Sequence, residues 1–413
     1  MPFHLFTFLF FTVTTLTGCI EKYEADIDAK DTNLLVVEGT IYSGQESRFV
    51  LSRTLPIGSY GAPQLEMFAK VSVLGSNGTE YVAFPMGSYY SCRTGHLSPD
   101  VEYRLHIETN GEVYESEPQK PLSTEKIADV TGVQYSPGDN IEVLVTPEKP
   151  SQTDKANYYS WTYDETWEVH PEYTTDIYFD VDSMRPIKKP DLFAKRGWID
   201  KESSTIMVGA STSYEGQHIQ RLKLYDIDRA DERLYHRYSG LVHQRAITKA
   251  EYEYEVARRQ AGSEMGGLFT PLPSALPTNI HCLTSDKRAI GFVGCSLYTT
   301  QFRFFFNRTD FSVYIPRQED KLFWLRQCNE WDCVRMVENG LFLVEWYDSR
   351  RIPGGGGLST SWTFEYLLNV KLRGAYTEEP YFWNQKGDGH KDQSEDDEEA
   401  TSDGETGTSD GED

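Results

Sequence analysis

Val71-Ser72-Val73-Leu74 and Glu80-Tyr81-Val82-Ala83-Phe84 stand on either side of an Asn77-Gly78 pair. Both flanks alternate apolar with polar residues, the period of a strand with one buried face. Asn-Gly accepts the positive φ angles that a tight hairpin demands. The stretch reads as a β-hairpin, and the signature recurs where Asn110-Gly111 separates Tyr103-Arg104-Leu105-His106-Ile107 from Val113-Tyr114. Upstream, Leu34-Leu35-Val36-Val37-Glu38-Gly39-Thr40-Ile41 carries β-branched residues between turn formers. Short strands at this spacing, with no helical period between them, predict a small β-sandwich over residues 31–122.

A second β-rich unit with insertions is expected over residues 123–385. Ile141-Glu142-Val143-Leu144-Val145 alternates, and Tyr158 to Val169 is dense in Tyr and Trp. Alternation puts Tyr159, Trp161, Tyr163 and Trp167 on one strand face, and core packing is the favoured reading over a binding face. Residues 170–200 lose the pattern and read as a connecting excursion. Ser204 to Val208 and Ile219 to Leu224 return to strand. One helix is expected: Thr248 and Glu251 form a capping box, and Ala250, Tyr254 and Ala257 share a face as far as Gln260. Ile290 to Cys295, Phe302 to Phe306 and Val313-Tyr314-Ile315 are further strands, and Gly354 to Gly357 is a loop hinge.

Both ends of the chain have their own composition. An apolar run from Phe3 to Val13, too short to span a membrane as a lasting helix, precedes Leu16-Thr17-Gly18-Cys19. Small residues ahead of a cysteine make a bacterial lipobox, so residues 1–18 are expected to be a signal peptide and Cys19 the lipidated N-terminus. The n-region has no Lys or Arg, and the competing reading is an ordinary secretory signal; both readings export the chain. Residues 19–30 form a polar tether. From Lys386 to Asp413 there are twelve acidic and two basic residues and no large apolar one, so residues 386–413 are expected to be a disordered acidic tail. The formal net charge of −24 argues against binding nucleic acid or anionic headgroups, which leaves the lipid to attach the chain to the membrane.

With Cys19 lipidated, five cysteines remain. Cys282–Cys295 and Cys328–Cys333 are the pairings that sequence proximity suggests, leaving Cys92 free, although connectivity stays open at this level. The Cys328–Cys333 pair flanks what reads as a loop. A zinc site is disfavoured because no C-x-x-C occurs. No G-x-S-x-G, H-E-x-x-H or Walker loop is present, and no histidine lies at ligand spacing to another. Asp226-x-Asp228-x-x-Asp231 lacks the glycine and distal acid of a calcium loop and reads as a solvated acidic turn, as does the Asp176, Asp180, Asp182 group.

Several weak motifs, taken in order, carry a resemblance. They are Val36-Val37-Glu38-Gly39, Tyr238-Ser239-Gly240-Leu241-Val242-His243-Gln244, Ala250-Glu251-Tyr252-Glu253-Tyr254 and Gly267-Leu268-Phe269-x-Pro271-x-Pro273. Asn279-Ile280, Gly291-Phe292, Cys328 with Cys333, and Pro380-Tyr381-Phe382-Trp383 follow. With these the chain resembles the Bacteroidota outer-membrane lipoproteins grouped as domain-of-unknown-function family 4249. It departs at Tyr254-Glu255, where Tyr-Trp is usual, and in a long stretch after Cys333 that holds the glycine run. The resemblance implies a mainly β fold of two immunoglobulin-like sandwiches, a TonB-dependent outer-membrane receptor as partner, no catalytic residues and no cofactor. The expectation is a non-enzymatic surface lipoprotein of the outer membrane that assists such a receptor in nutrient capture or uptake. A hydrolase of extracellular polymers and a structural or adhesive envelope protein are the alternatives. The expected receptor contact is the loop carrying Gly266, Gly267, Leu268, Phe269, Pro271 and Pro273, whose prolines lower its conformational entropy; the same residues could instead only cap the sandwich.

Overall fold

The computed structural model describes residues 33–55, 62–150, 157–203, 205–262, 276–316, 321–385 and 387–388. Cys19, the expected contact residues from Gly266 to Pro273, and nearly all of the acidic tail lie outside them. The chain is mainly β: two immunoglobulin-like β-sandwiches and a smaller module with its own core.

The first sandwich forms where the hairpin signatures predict it. Asn110 and Gly111 have φ of +52° and +78° and join Tyr103–Thr109 to Glu112–Ser116 as a two-residue turn. At Asn77-Gly78 the turn is longer, with Leu74 opposite Glu80 and Gly78 N donating to Gly75 O. Glu80–Met86 passes between the two layers: Ala83 pairs with Val71 of Lys70–Gly75, and Phe84 pairs with Ser91 of Tyr89–Arg93. Leu35, Val37, Ile41, Phe49, Val73, Leu105 and Tyr114 fill the space between them.

This sandwich does not end at residue 122. Ala289–Ser296 runs parallel to Leu35–Tyr42 from Leu35↔Ala289 to Tyr42↔Ser296, and Ile280–Cys282 adds to Glu112–Ser116. The chain thus leaves the first sandwich, builds most of the second, and returns. The boundary was hidden because Ala289–Ser296 is buried almost throughout, and a continuous apolar run does not say which sheet it joins. Two motif glycines let Leu35–Tyr42 pair closely, Gly291 from the returning strand and Gly39 toward Glu46–Arg53. A Cβ on Gly291 (φ +140°) would lie 2.1 Å from Val37 O, and one on Gly39 (φ +154°) would lie 2.5 Å from Arg48 O.

In the second sandwich, Ile127–Val133, Ile141–Pro147 and Leu222–Ile227 form one sheet. Gly197–Glu202, Tyr158–Val169, Arg237–Ile247 and Thr300–Asn307 follow one another across the other. Tyr159, Trp161 and Trp167 are buried in the core between the sheets and Tyr163 packs against it, as their alternation predicts.

The third module departs from the expectation of one helix with long loops. Leu358–Phe364 lies between Phe323–Cys328 and Leu341–Asp348, backed by a second helix, Glu330–Glu338. A hairpin of Ile177–Asp180 and Arg185–Lys188, from the excursion, packs into the same core around Phe179, Cys333, Leu343 and Trp362. The helix begins where a loop was expected. Asn329 caps it by accepting from Trp331 N and Asp332 N, and Asp332 returns a bond to Asn329 N.

Candidate functional site

The most distinctive motif, Tyr238–Gln244, points into the protein. Tyr238 is fully buried, donates to Glu165 Oε1 at 2.8 Å and shares a 2.8 Å bond with Tyr225. Burial pushes both phenols far above their usual pKa. Arg233 binds the same Glu165 oxygen and also Asp231 Oδ2 at 2.9 Å. Buried Gln244 accepts from Trp161 Nε1 at 2.8 Å and donates to Glu125 O at 2.8 Å. All these polar groups satisfy one another, which is what a polar core needs to be stable.

The next motif joins the sandwiches. Thr248 Oγ1 accepts from Glu251 N at 3.1 Å, as a capping box predicts, but the Glu251 carboxylate is held by Arg245 at 2.6 and 3.2 Å. The Lys249–Gly262 helix turns in Glu251 and Tyr254; of the expected face Tyr254 is buried and Ala257 half-buried, whereas Ala250 is exposed. Tyr254 packs on Phe292 of the returning strand with ring centroids 5.9 Å apart. Asn279, the other motif polar residue, donates from Nδ2 to Val293 O at 3.0 Å and accepts from Val293 N at 2.9 Å. Its side chain therefore acts as one more rung of a ladder.

A cleft of about 760 Å³ opens beside the second sandwich. On one wall His170 and His236 stack, 3.7 Å between centroids and 19° between planes. Burial, then the neighbouring His170, pushes His236 down to about 4, so it is neutral near pH 7. His170 Nε2 donates to Glu168 Oε1 at 2.6 Å, and Trp383 of the C-terminal motif donates to Glu168 Oε2 at 3.2 Å. Glu232 pairs with Arg373, whose Nη1 also donates to His170 O at 3.1 Å, and Lys321 Nζ donates to Glu172 Oε1 at 3.0 Å. Each carboxylate of the cleft is thus engaged by a donor. A polar floor with Tyr366, Ile315 and Pro316 on the rim suits reversible binding of a small ligand. Sequence spacing could not find this site, because its histidines are 66 positions apart and come from separate strands and loops.

Among the described residues no group of three or more His, Cys, Asp or Glu is placed to hold a metal. Asp226 pairs with Lys223 at 3.0 Å, Asp228 accepts from Ala230 N, and Asp231 binds Arg233, the arrangement of an acidic turn. The five described cysteines are free thiols, so neither expected disulfide is formed in the structure. Cys282 bonds to Ser285 Oγ at 3.2 Å, whereas Cys295 lies buried near Arg245 and Glu251 and is pushed up to about 12 by that burial. Cys328 and Cys333 do meet. Burial, then the adjacent Cys328, pushes the Cys333 thiol up to about 12.

The chain belongs to the family described as domain of unknown function DUF4249, whose model matches residues 20–301. No curated protein matches it. Among solved structures, a two-fibronectin-type-III-domain segment of chicken tenascin is similar at 11% identity over 51% of this chain and 90% of that one, with a TM-score of 0.13. The fold described above rests on the strand pairings themselves.

Proposed function

We propose that this member of the DUF4249 family is a lipid-anchored surface protein of the outer membrane, one that catalyses nothing and assists a TonB-dependent receptor in nutrient capture or uptake. The observation that carries this reading is the use made of the motif residues. Gln244 ties the segment between the sandwiches to the second, the Arg245–Glu251 pair meets the first at Gly294, and Asn279 fastens the returning strand within the first. A chain whose signature residues build a rigid body is suited to presenting surfaces to a partner. The hydrolase reading would draw on Glu168, Glu172 and Glu232 of the cleft, and their engagement by His170, Lys321 and Arg373 weighs against it.

Affinity capture of the full-length protein from solubilised outer membranes, read by mass spectrometry, tests this. A TonB-dependent receptor should co-purify, and deleting residues 264–274 should abolish that association. Cys19→Ala should release the protein from the membrane fraction and stop incorporation of labelled fatty acid. Capture of the intact protein without any such receptor overturns the proposal.

A further inference from the structure

The outward face of the three-stranded sheet in the third module holds side chains that the fold does not use. In antiparallel pairing, directly opposed residues share a face. Trp324 and Glu345 both oppose Ser361, and Arg326 and Tyr347 both oppose Ser359, so these six residues form two adjacent rows. Trp324 is 50% exposed and Tyr347 63%, and Arg326 and Glu345 are also exposed. Inward-facing Leu325, Trp346 and Trp362 already supply this sheet's core. Burying Trp324 or Tyr347 is therefore not what holds the module together.

We propose that this face is an oligosaccharide-binding site. Trp324 and Tyr347 stand at diagonal corners, two strands and two residues apart, which places them about 12 Å from each other by strand geometry. That is the reach of a short run of pyranose rings, whose apolar C–H faces stack on aromatic rings. At the other two corners stand a guanidinium, which only donates, and a carboxylate, which accepts; together they match the mixed donors and acceptors of sugar hydroxyls. Buried Ser361 donates from Oγ to Glu345 Oε2 at 3.2 Å and orients that carboxylate ahead of binding. Trp324, Arg326 and Tyr347 make no side-chain hydrogen bond, ion pair or ring contact among the described residues. The face continues past Phe342, against which Phe193 stands edge-on at 5.3 Å, toward a cavity of about 550 Å³ beside Lys371. The three strands of this sheet lie beyond residue 301, where the match to the family model ends. The inference stands independently of any receptor partner.

Calorimetric titration of the full mature protein with maltohexaose, cellohexaose, xylohexaose, mannohexaose and chitohexaose, each to about 1 mM, tests it. At least one should bind. Trp324→Ala and Tyr347→Ala should each weaken that sugar about tenfold or more, as truncated aromatic anchors do. Trp331→Ala, at an exposed position on the Glu330–Glu338 helix, should leave its affinity unchanged. Unaltered thermal unfolding of the variants shows that the loss is local. Absence of binding to all five sugars overturns the proposal, as does binding that survives the Trp324→Ala, Tyr347→Ala double substitution. Loss of a co-purifying protein from that double variant, with no sugar bound by the parent, reassigns the face to a protein partner.

Discussion

Arg245 and Glu251 form a two-bonded ion pair, at 2.6 and 3.2 Å, with their side chains only 11% and 6% exposed. Gly294 of the returning strand lies against the carboxylate: a Cβ there would come within 2.5 Å of Glu251 Oε2. The pair sits where the helix, the second sandwich and the last strand of the first converge.

Removing one partner of such a pair leaves a buried charge without compensation. Glu251→Ala is expected to destabilise the protein by about 3–5 kcal/mol, and the double change Arg245→Met, Glu251→Leu to recover much of that loss. Urea unfolding of the three proteins measures it. Equal destabilisation by the single and double variants would refute the assignment.

Stability should fall as pH drops from near neutrality. His236 is pushed down to about 4 from an ordinary 6.5, so between those values the unfolded chain binds a proton that the folded chain does not. Unfolding then gains on acidification, beginning below about 6.5 and levelling off below about 4. His236→Gln should flatten the urea midpoint against pH in this window relative to the parent. An unchanged slope removes His236 as its cause.

Asn279→Ala deletes both bonds to Val293 and leaves a buried N–H and C=O unpaired. A loss of about 1–3 kcal/mol is expected for such a group. Amide hydrogen exchange should accelerate most in Ala289–Ser296, and uniform acceleration across both sandwiches would contradict a local clamp.

Cys328 and Cys333 are positioned to form a disulfide in an oxidising compartment. They occupy the positions just outside the cap and in the first turn of the Glu330–Glu338 helix, where an apolar pair usually packs across the cap box. A ring this short adds stability only at the low end of ~0–5 kcal/mol. Non-reducing peptide mapping of protein recovered from an oxidising compartment should show the linked pair, and two free thiols there would exclude it.

The elements best read from sequence were those with local causes. Asn110-Gly111 specifies a turn through its own backbone, and Tyr159 with Trp161 shows the strand period directly. The capping box at Asn329 and Asp332 was equally local, and it introduces a helix of only nine residues. Non-local pairings were beyond reach. Nothing in Ala289–Ser296 names Leu35–Tyr42 as its neighbour, and nothing in His170 names His236. At the helix, the apolar period found Tyr254, but the buried ion pair brought Glu251 inward while Ala250 faces outward.

The parallel strand at Leu35–Tyr42 bears on the order in which the protein can mature. Synthesis delivers the chain from its N-terminus, so this early strand waits for Ala289–Ser296, more than 240 positions later, before its outer edge is covered. Until then the early sheet presents an unpaired edge of the kind that invites wrong partners. Completion of the first sandwich is thereby tied to assembly of the second, and an interrupted or truncated chain meets proteases and holding chaperones with that edge bare.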